Sequence, residues 1–123
     1  MGNRSISWKR RVVDSNYVPE RGDIIWIDFN PQLGHEQRGR RPALVISHRS
    51  YNEKVGLGIF CPITSKKKKY PFEVVISLDK IKGSVLCDQI KSLDWGVRKT
   101  EFIAKLDPLK MKDVVDRIEV LIK

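Results

Sequence analysis

With 123 residues, the chain is long enough for one folded unit with its own core and too short for two. Apolar residues make up 41% and charged residues 32%, a balance that excludes an intrinsically disordered chain and fits an ordinary globular one. The 24 Lys and Arg outnumber the 15 Asp and Glu for a net charge of +9, which favours polyanionic partners without choosing among RNA, DNA and a membrane surface.

Residues 1–16 carry Arg4, Lys9, Arg10 and Arg11 against the single acid Asp14 and show no periodicity, so they read as a basic arm ahead of a folded unit spanning 17–123. Gly22–Phe29 (GDIIWIDF) has the β-branched and aromatic bias of a strand and stops at Asn30–Pro31. The next segment, Asn30–Arg40, is too long and too polar for a plain hairpin connection, and such loops often carry function. Arg41–Ser47, Leu57–Ile63, Phe72–Ile76, Ser84–Ile90 and Glu101–Leu106 are predicted strands, which brings the total to six. Asp107 followed by Pro108 supplies a helix cap and a first-turn proline. Met111, Val114, Val115, Ile118, Leu121 and Ile122 then recur at helical spacing, as one amphipathic terminal helix requires. The expected fold is therefore mainly β with a C-terminal helix, the strands forming a small twisted barrel or sandwich.

Apolar runs such as Ile24–Ile27 and Leu57–Ile63 fall far short of the roughly 20 residues of a membrane-spanning helix. No continuous apolar stretch follows the first basic residues, so no secretory leader is expected and the cytosol is the expected compartment. Cys61 and Cys87 lie in apolar stretches without the short paired spacing of a zinc or redox site, and both read as buried, reduced thiols. Neither a metal nor a cofactor is expected.

The polar loop concentrates His35, Glu36, Gln37, Arg38, Arg40 and Arg41 in a few positions. Cleavage of RNA by internal transesterification needs a group to take the 2′-OH proton, one to protonate the 5′-leaving oxygen, and donors facing the developing phosphorane charge. The loop holds all three residue types, although a solvated loop whose charges pair with one another accounts for the same composition. Pro42 pushes Arg41 towards extended geometry at a strand edge, where a rigid fork of donors suits a phosphate. Because neutral arginine is scarce, charge stabilisation suits Arg41 better than proton donation.

Tyr17–Ser47 (YVPERGDIIWIDFNPQLGHEQRGRRPALVIS) resembles the opening strand, loop and second strand of the MazF/PemK family of mRNA interferases. Pro62–Ser65 (PITS), Tyr70–Val75 (YPFEVV) and Asp88–Trp95 (DQIKSLDW) continue the resemblance in order and spacing. It implies an SH3-like small β-barrel of the CcdB/MazF/PemK type with helical additions. The implied protein is a homodimer that cuts single-stranded RNA at short motifs without metal, as the toxin of a toxin–antitoxin pair. It also implies an acidic, partly disordered antitoxin of the MazE/PemI kind lying in the RNA groove. By the same resemblance Arg41 is the arginine at the scissile phosphate, Thr64 the threonine beside it, and Glu36 the loop glutamate required for activity. His35 stands where a small hydroxyl residue is common and Arg40 where a histidine or small residue occurs. His35 is thus open to acid–base work, base stacking or plain exposure.

Further expected RNA contacts are Gln37, Arg38 and Arg40 on the loop, Ser65, Lys66, Lys67, Lys68 and Lys69 along the backbone path, and Asp88 and Gln89 as base readers. The lysine run reads as a flexible basic loop able to track an RNA backbone, with a solvated charge run as the alternative. Trp26 and Phe29 either fill the core, the commoner fate of strand aromatics, or stack a base. Two rivals remain at this level: a non-catalytic relative of CcdB that binds DNA gyrase, for which the Glu36–Arg41–Thr64 set has no use, and a general RNA-binding barrel.

Overall fold

The structure, a computed structural model, describes residues 16–29 and 39–123. Strands β1 (Asp23–Asp28), β2 (Arg40–Val45), β3 (Gly58–Thr64), β4 (Glu73–Ser77), β5 (Lys82–Leu86), β6 (Lys91–Leu93) and β7 (Glu101–Lys105) form one curled, antiparallel sheet ordered β4-β5-β3-β2-β1-β7. β6 joins the same edge of β3 as β5, further along. Two helices complete the described fold, α1 (Arg49–Val55) and α2 (Pro108–Ile122), with a single 3-10 turn at Trp95–Val97. The expected fold class, a small β-barrel-like sheet with a terminal helix, is what the chain adopts.

Alternation along the strands builds two cores, one on each face of the sheet. Ile24 and Leu44 face one core with Ile63, Val74, Ile76 and Val85, and α2 covers it with Met111, Val114 and Ile118. Their neighbours Ile25, Ile27, Ala43 and Val45 face the other core with Phe60 and Trp95. Phe29 packs against this second core and Trp26 against the first, both half-buried, in keeping with the core reading of these aromatics. α2 begins as its sequence dictates: the Asp107 carboxylate accepts from the Lys110 N–H at 2.9 Å, and Pro108 opens the first turn.

Two features depart from the sequence expectation. Helix α1 was not expected, because its only buried residue is Asn52 and no apolar stripe marks it. Hydrogen bonding replaces the stripe. The Asn52 side-chain amide donates to the Pro19 carbonyl at 2.8 Å, its oxygen accepts from the Ser47 hydroxyl at 2.5 Å, and its carbonyl accepts from the Trp95 indole at 3.1 Å. Gly56, at φ 84°, ends the helix in the left-handed conformation.

Secondly, Ser84–Ile90 is not one strand. β5 pairs Thr64 with Ser84 and Ile63 with Val85, whereas β6 pairs Phe60 with Lys91 and Ile59 with Ser92. The step between the two registers leaves Asp88, Gln89 and Ile90 surplus to the pairing, and all three are exposed.

Candidate nucleic-acid interface

The β2–β3 register pairs Val45 with Phe60 and Ala43 with Pro62. Carried two residues on, it brings Arg41 and Thr64 to facing positions where the two strands end, and Thr64 in turn faces Ser84 on β5. Arg41, Thr64 and Ser84 therefore lie in one cross-strand row. Arg41 is exposed, and among the described residues its guanidinium has no partner. Thr64 is half-buried, and its hydroxyl oxygen accepts the Lys66 N–H at 3.2 Å, leaving its own proton to donate. His35, Glu36, Gln37 and Arg38 lie outside the described residues, as does most of the basic arm.

Strand alternation separates the adjacent arginines. Arg40 turns to the opposite face, lies 5.6 Å over the Trp26 ring, pairs with Glu101 at 2.7 Å and donates to the Lys99 carbonyl at 3.2 Å. It thus ties β2 to β7 across β1. Expected as an RNA contact, Arg40 is engaged within the protein. Arg98 closes the same end, donating to the Asp28 and Phe29 carbonyls at 3.0 and 2.9 Å where β1 ends.

On the other side of Thr64 runs the lysine segment. Ser65 and Lys66–Lys69 are exposed, yet the segment is held at both ends. Besides the Lys66 bond to Thr64, the Glu73 carboxylate accepts the Lys68 and Lys69 N–H groups, each at 2.8 Å, and Lys69 takes a left-handed φ of 56°. The nearby Ser84 hydroxyl and these two N–H groups hold the Glu73 carboxyl below its usual range. Ser84 Oγ is itself fully buried and completes no hydrogen-bond geometry, so its influence on Glu73 is one of proximity. A shallow cleft of about 270 Å³ follows, lined by Ser65, Lys67, Lys82 and Gly83 with Val75, Ile76 and Ser77 of β4.

Asp88 and Gln89 stand exposed in the surplus segment. Asp88 accepts the Tyr70 hydroxyl at 2.5 Å, which joins this segment to the end of the lysine loop. Partial burial and that carboxylate push the Tyr70 hydroxyl up to about 12. Glu73, Tyr70, Glu101 and Arg98 were not singled out from sequence, since each works through groups far along the chain or through backbone amides. No cluster of three or more His, Cys, Asp or Glu suited to a metal occurs among the described residues, and no described helix is long and apolar enough to cross a membrane.

A curled β-sheet that ends in a guanidinium, a hydroxyl and a lysine-rich loop defines a small protein of the polyanion-handling kind. A family model described as PemK-like, MazF-like toxin of type II toxin–antitoxin system matches residues 20–122. The chain is 44% identical over 108 residues to the endoribonuclease toxin MazF of Escherichia coli K12, covering 88% of this chain and 97% of that one. It is 31% identical over 109 residues to the endoribonuclease EndoA of Bacillus subtilis, covering 84% and 93%. The crystal structure of MazF from Deinococcus radiodurans superposes with a TM-score of 0.78 at 44% identity, over 87% of this chain and 98% of that one. A MazE–MazF structure from the same organism gives 0.77 at 38% identity, over 87% and 97%. The chain belongs to the PemK-like, MazF-like family of toxins of type II toxin–antitoxin systems. Its relatives carry endoribonuclease names, and the reading as a gyrase-binding relative of CcdB is set aside.

Proposed function

We propose that this protein is a toxin endoribonuclease that cuts single-stranded RNA, mRNA above all, at short sequence motifs and so arrests translation and growth. The observation that carries the reading is the facing pair at the strand ends: an exposed Arg41 guanidinium and a Thr64 hydroxyl with a free proton. A scissile phosphate between them would receive a fork of donors and one hydroxyl donor, the arrangement a phosphorane requires. The neighbouring 2′-OH attacks phosphorus as its proton is taken up, the bond to the 5′-oxygen breaks with that oxygen protonated from solvent, and the products are a 2′,3′-cyclic phosphate and a 5′-hydroxyl. Glu36 is assigned the 2′-OH proton, His35, Gln37 and Arg38 are assigned contacts to the RNA, and no step needs a cation. The lysine segment follows the RNA backbone, while Asp88 and Gln89 read bases beside it. The E. coli relatives named as endoribonucleases support the activity. The MazE–MazF neighbours support an antitoxin partner, whose acidic segment suits the +9 charge of this chain. The working form is a homodimer in the cytoplasm.

The test is incubation with a long unstructured RNA in excess EDTA, alongside the same RNA carrying 2′-deoxy residues at the mapped cut sites. The unmodified RNA is expected to be cut with 5′-hydroxyl ends, and the 2′-deoxy RNA to bind and stay whole. Loss of cutting in EDTA, or cutting of the deoxy substrate, overturns the mechanism.

A further inference from the structure

Lys66–Lys69 places four like charges in a row, an arrangement that ordinarily repels itself into an extended, solvated loop. Here one carboxylate reaches under the run. Glu73, the first residue of β4, accepts the Lys68 and Lys69 N–H groups together, both at 2.8 Å, by spanning four and five residues back along the chain. This holds Lys69 at φ 56°, a conformation a non-glycine residue keeps only when its surroundings require it. The far end of the segment is fixed as well, through the Lys66 N–H on the Thr64 hydroxyl oxygen at 3.2 Å. Thr64 and Glu73 therefore anchor the two ends of one short segment.

We propose that Glu73 is a positioning residue that preforms the lysine loop for a nucleic-acid backbone and, through Lys66, aims the Thr64 hydroxyl. Glu73 does not touch the substrate. It spends its charge on backbone N–H groups, which leaves the lysine side chains to face outward, and all of Ser65–Lys69 is exposed. A preformed loop loses less conformational entropy when it binds than a loose one. The proposal rests on the ribonuclease reading above for its assay and on geometry alone for its claim about the loop.

The test separates positioning from simple electrostatics because the two predict opposite signs. Glu73→Gln removes a negative charge beside four lysines, so electrostatics alone would tighten RNA binding. Positioning predicts weaker binding: a KM for single-stranded RNA raised about tenfold, the scale of one lost charge-assisted hydrogen bond, with a smaller fall in kcat through Thr64. Glu73→Asp keeps the charge but is one methylene too short to span both N–H groups, and it is expected to show the same loss. Affinity for an uncleavable 2′-deoxy oligonucleotide is measured in parallel. If the wild-type protein binds it but cuts no RNA, the ribonuclease reading fails while the Glu73 comparison still stands. In the wild-type protein, amide hydrogen exchange at Lys68 and Lys69 is expected to be slow for an exposed loop, a readout that needs no folded variant. Unprotected amides there, or a Glu73→Gln variant that binds RNA as tightly as wild type or tighter, overturn the proposal.

Discussion

Gly83 lies so close to Thr64 that a Cβ built on it would sit 2.4 Å from the Thr64 carbonyl oxygen and 3.2 Å from Ile63 Cγ2. The obstacle is backbone, which has no rotamer by which to retreat. Gly83→Ala is therefore expected to push β5 from β3 at the one point where β3 presents its hydroxyl, at a cost of about 1–3 kcal/mol for overpacking. Urea unfolding measures the stability and a cleavage assay the rate. A variant as stable and active as wild type would show that the two strands separate freely there.

The adjacent arginines should behave as opposites. Arg40 stacks on Trp26 and pairs with Glu101, with side chains 27% and 46% exposed, so Arg40→Ala is expected to cost about 1 kcal/mol of stability. Arg41 has no partner among the described residues, so Arg41→Ala should leave stability within about 0.5 kcal/mol of wild type. Its rate should fall by on the order of 10²–10³, as for a lost oxyanion donor. Arg41→Lys should restore only part of the rate, because a point charge does not reproduce the fork. Equal rates for Arg41→Ala and wild type, with circular dichroism showing both folded, would remove Arg41 from the site.

The two thiols predict an alkaline weakness. Burial pushes Cys61 up to about 12 and Cys87 up to about 11, and each S–H faces a carbonyl, Cys61 that of Cys87 and Cys87 that of Val85. Above the ordinary thiol value of 9.0 the unfolded chain ionises while the folded one resists. These groups therefore favour the fold fully below that value, and their contribution is lost as pH rises towards 11 and 12. The urea midpoint should fall from pH 8 to about pH 10.5, and less steeply in a Cys61→Ala/Cys87→Ala chain. Equal slopes would assign the alkaline loss to other groups.

Leu109, Val120, Leu121 and Ile122 of α2 are 81%, 71%, 45% and 73% exposed, apolar surface that a second copy would cover. Light scattering at micromolar concentration is expected to give twice the 14.3 kDa of one chain. A monomer mass would contradict the homodimer.

Where composition or spacing carries a local signal, the sequence announced the structure. The β-branched and aromatic bias of Gly22–Phe29 located β1, and the cap and spacing from Asp107 located α2. α1 had no period to announce, since it is anchored by one asparagine. The break between β5 and β6 was hidden because Leu86–Ile90 (LCDQI) keeps the look of a strand while its pairing partner stops matching. At the candidate site, Arg41 and Thr64 came from the family resemblance, and the β2–β3 register gives them a common place. Glu73 left no trace in sequence because its partners are main-chain N–H groups. The pairing of Arg40 with Glu101 joins residues 61 positions apart, a separation that only the sheet closes.

The three residues left over between β5 and β6 divide the labour of the surface. The Asp88–Ile90 segment carries no rung of the β3 ladder, so the residues proposed above to read bases can be substituted or lengthened at the cost of the Asp88–Tyr70 bond without breaking strand pairing. Arg41 and Thr64, by contrast, are fixed by strands that cannot slip by one residue without turning both cores inside out. If that segment reads bases as proposed, a lineage of such proteins changes its reading of RNA while Arg41 and Thr64 stay where they are.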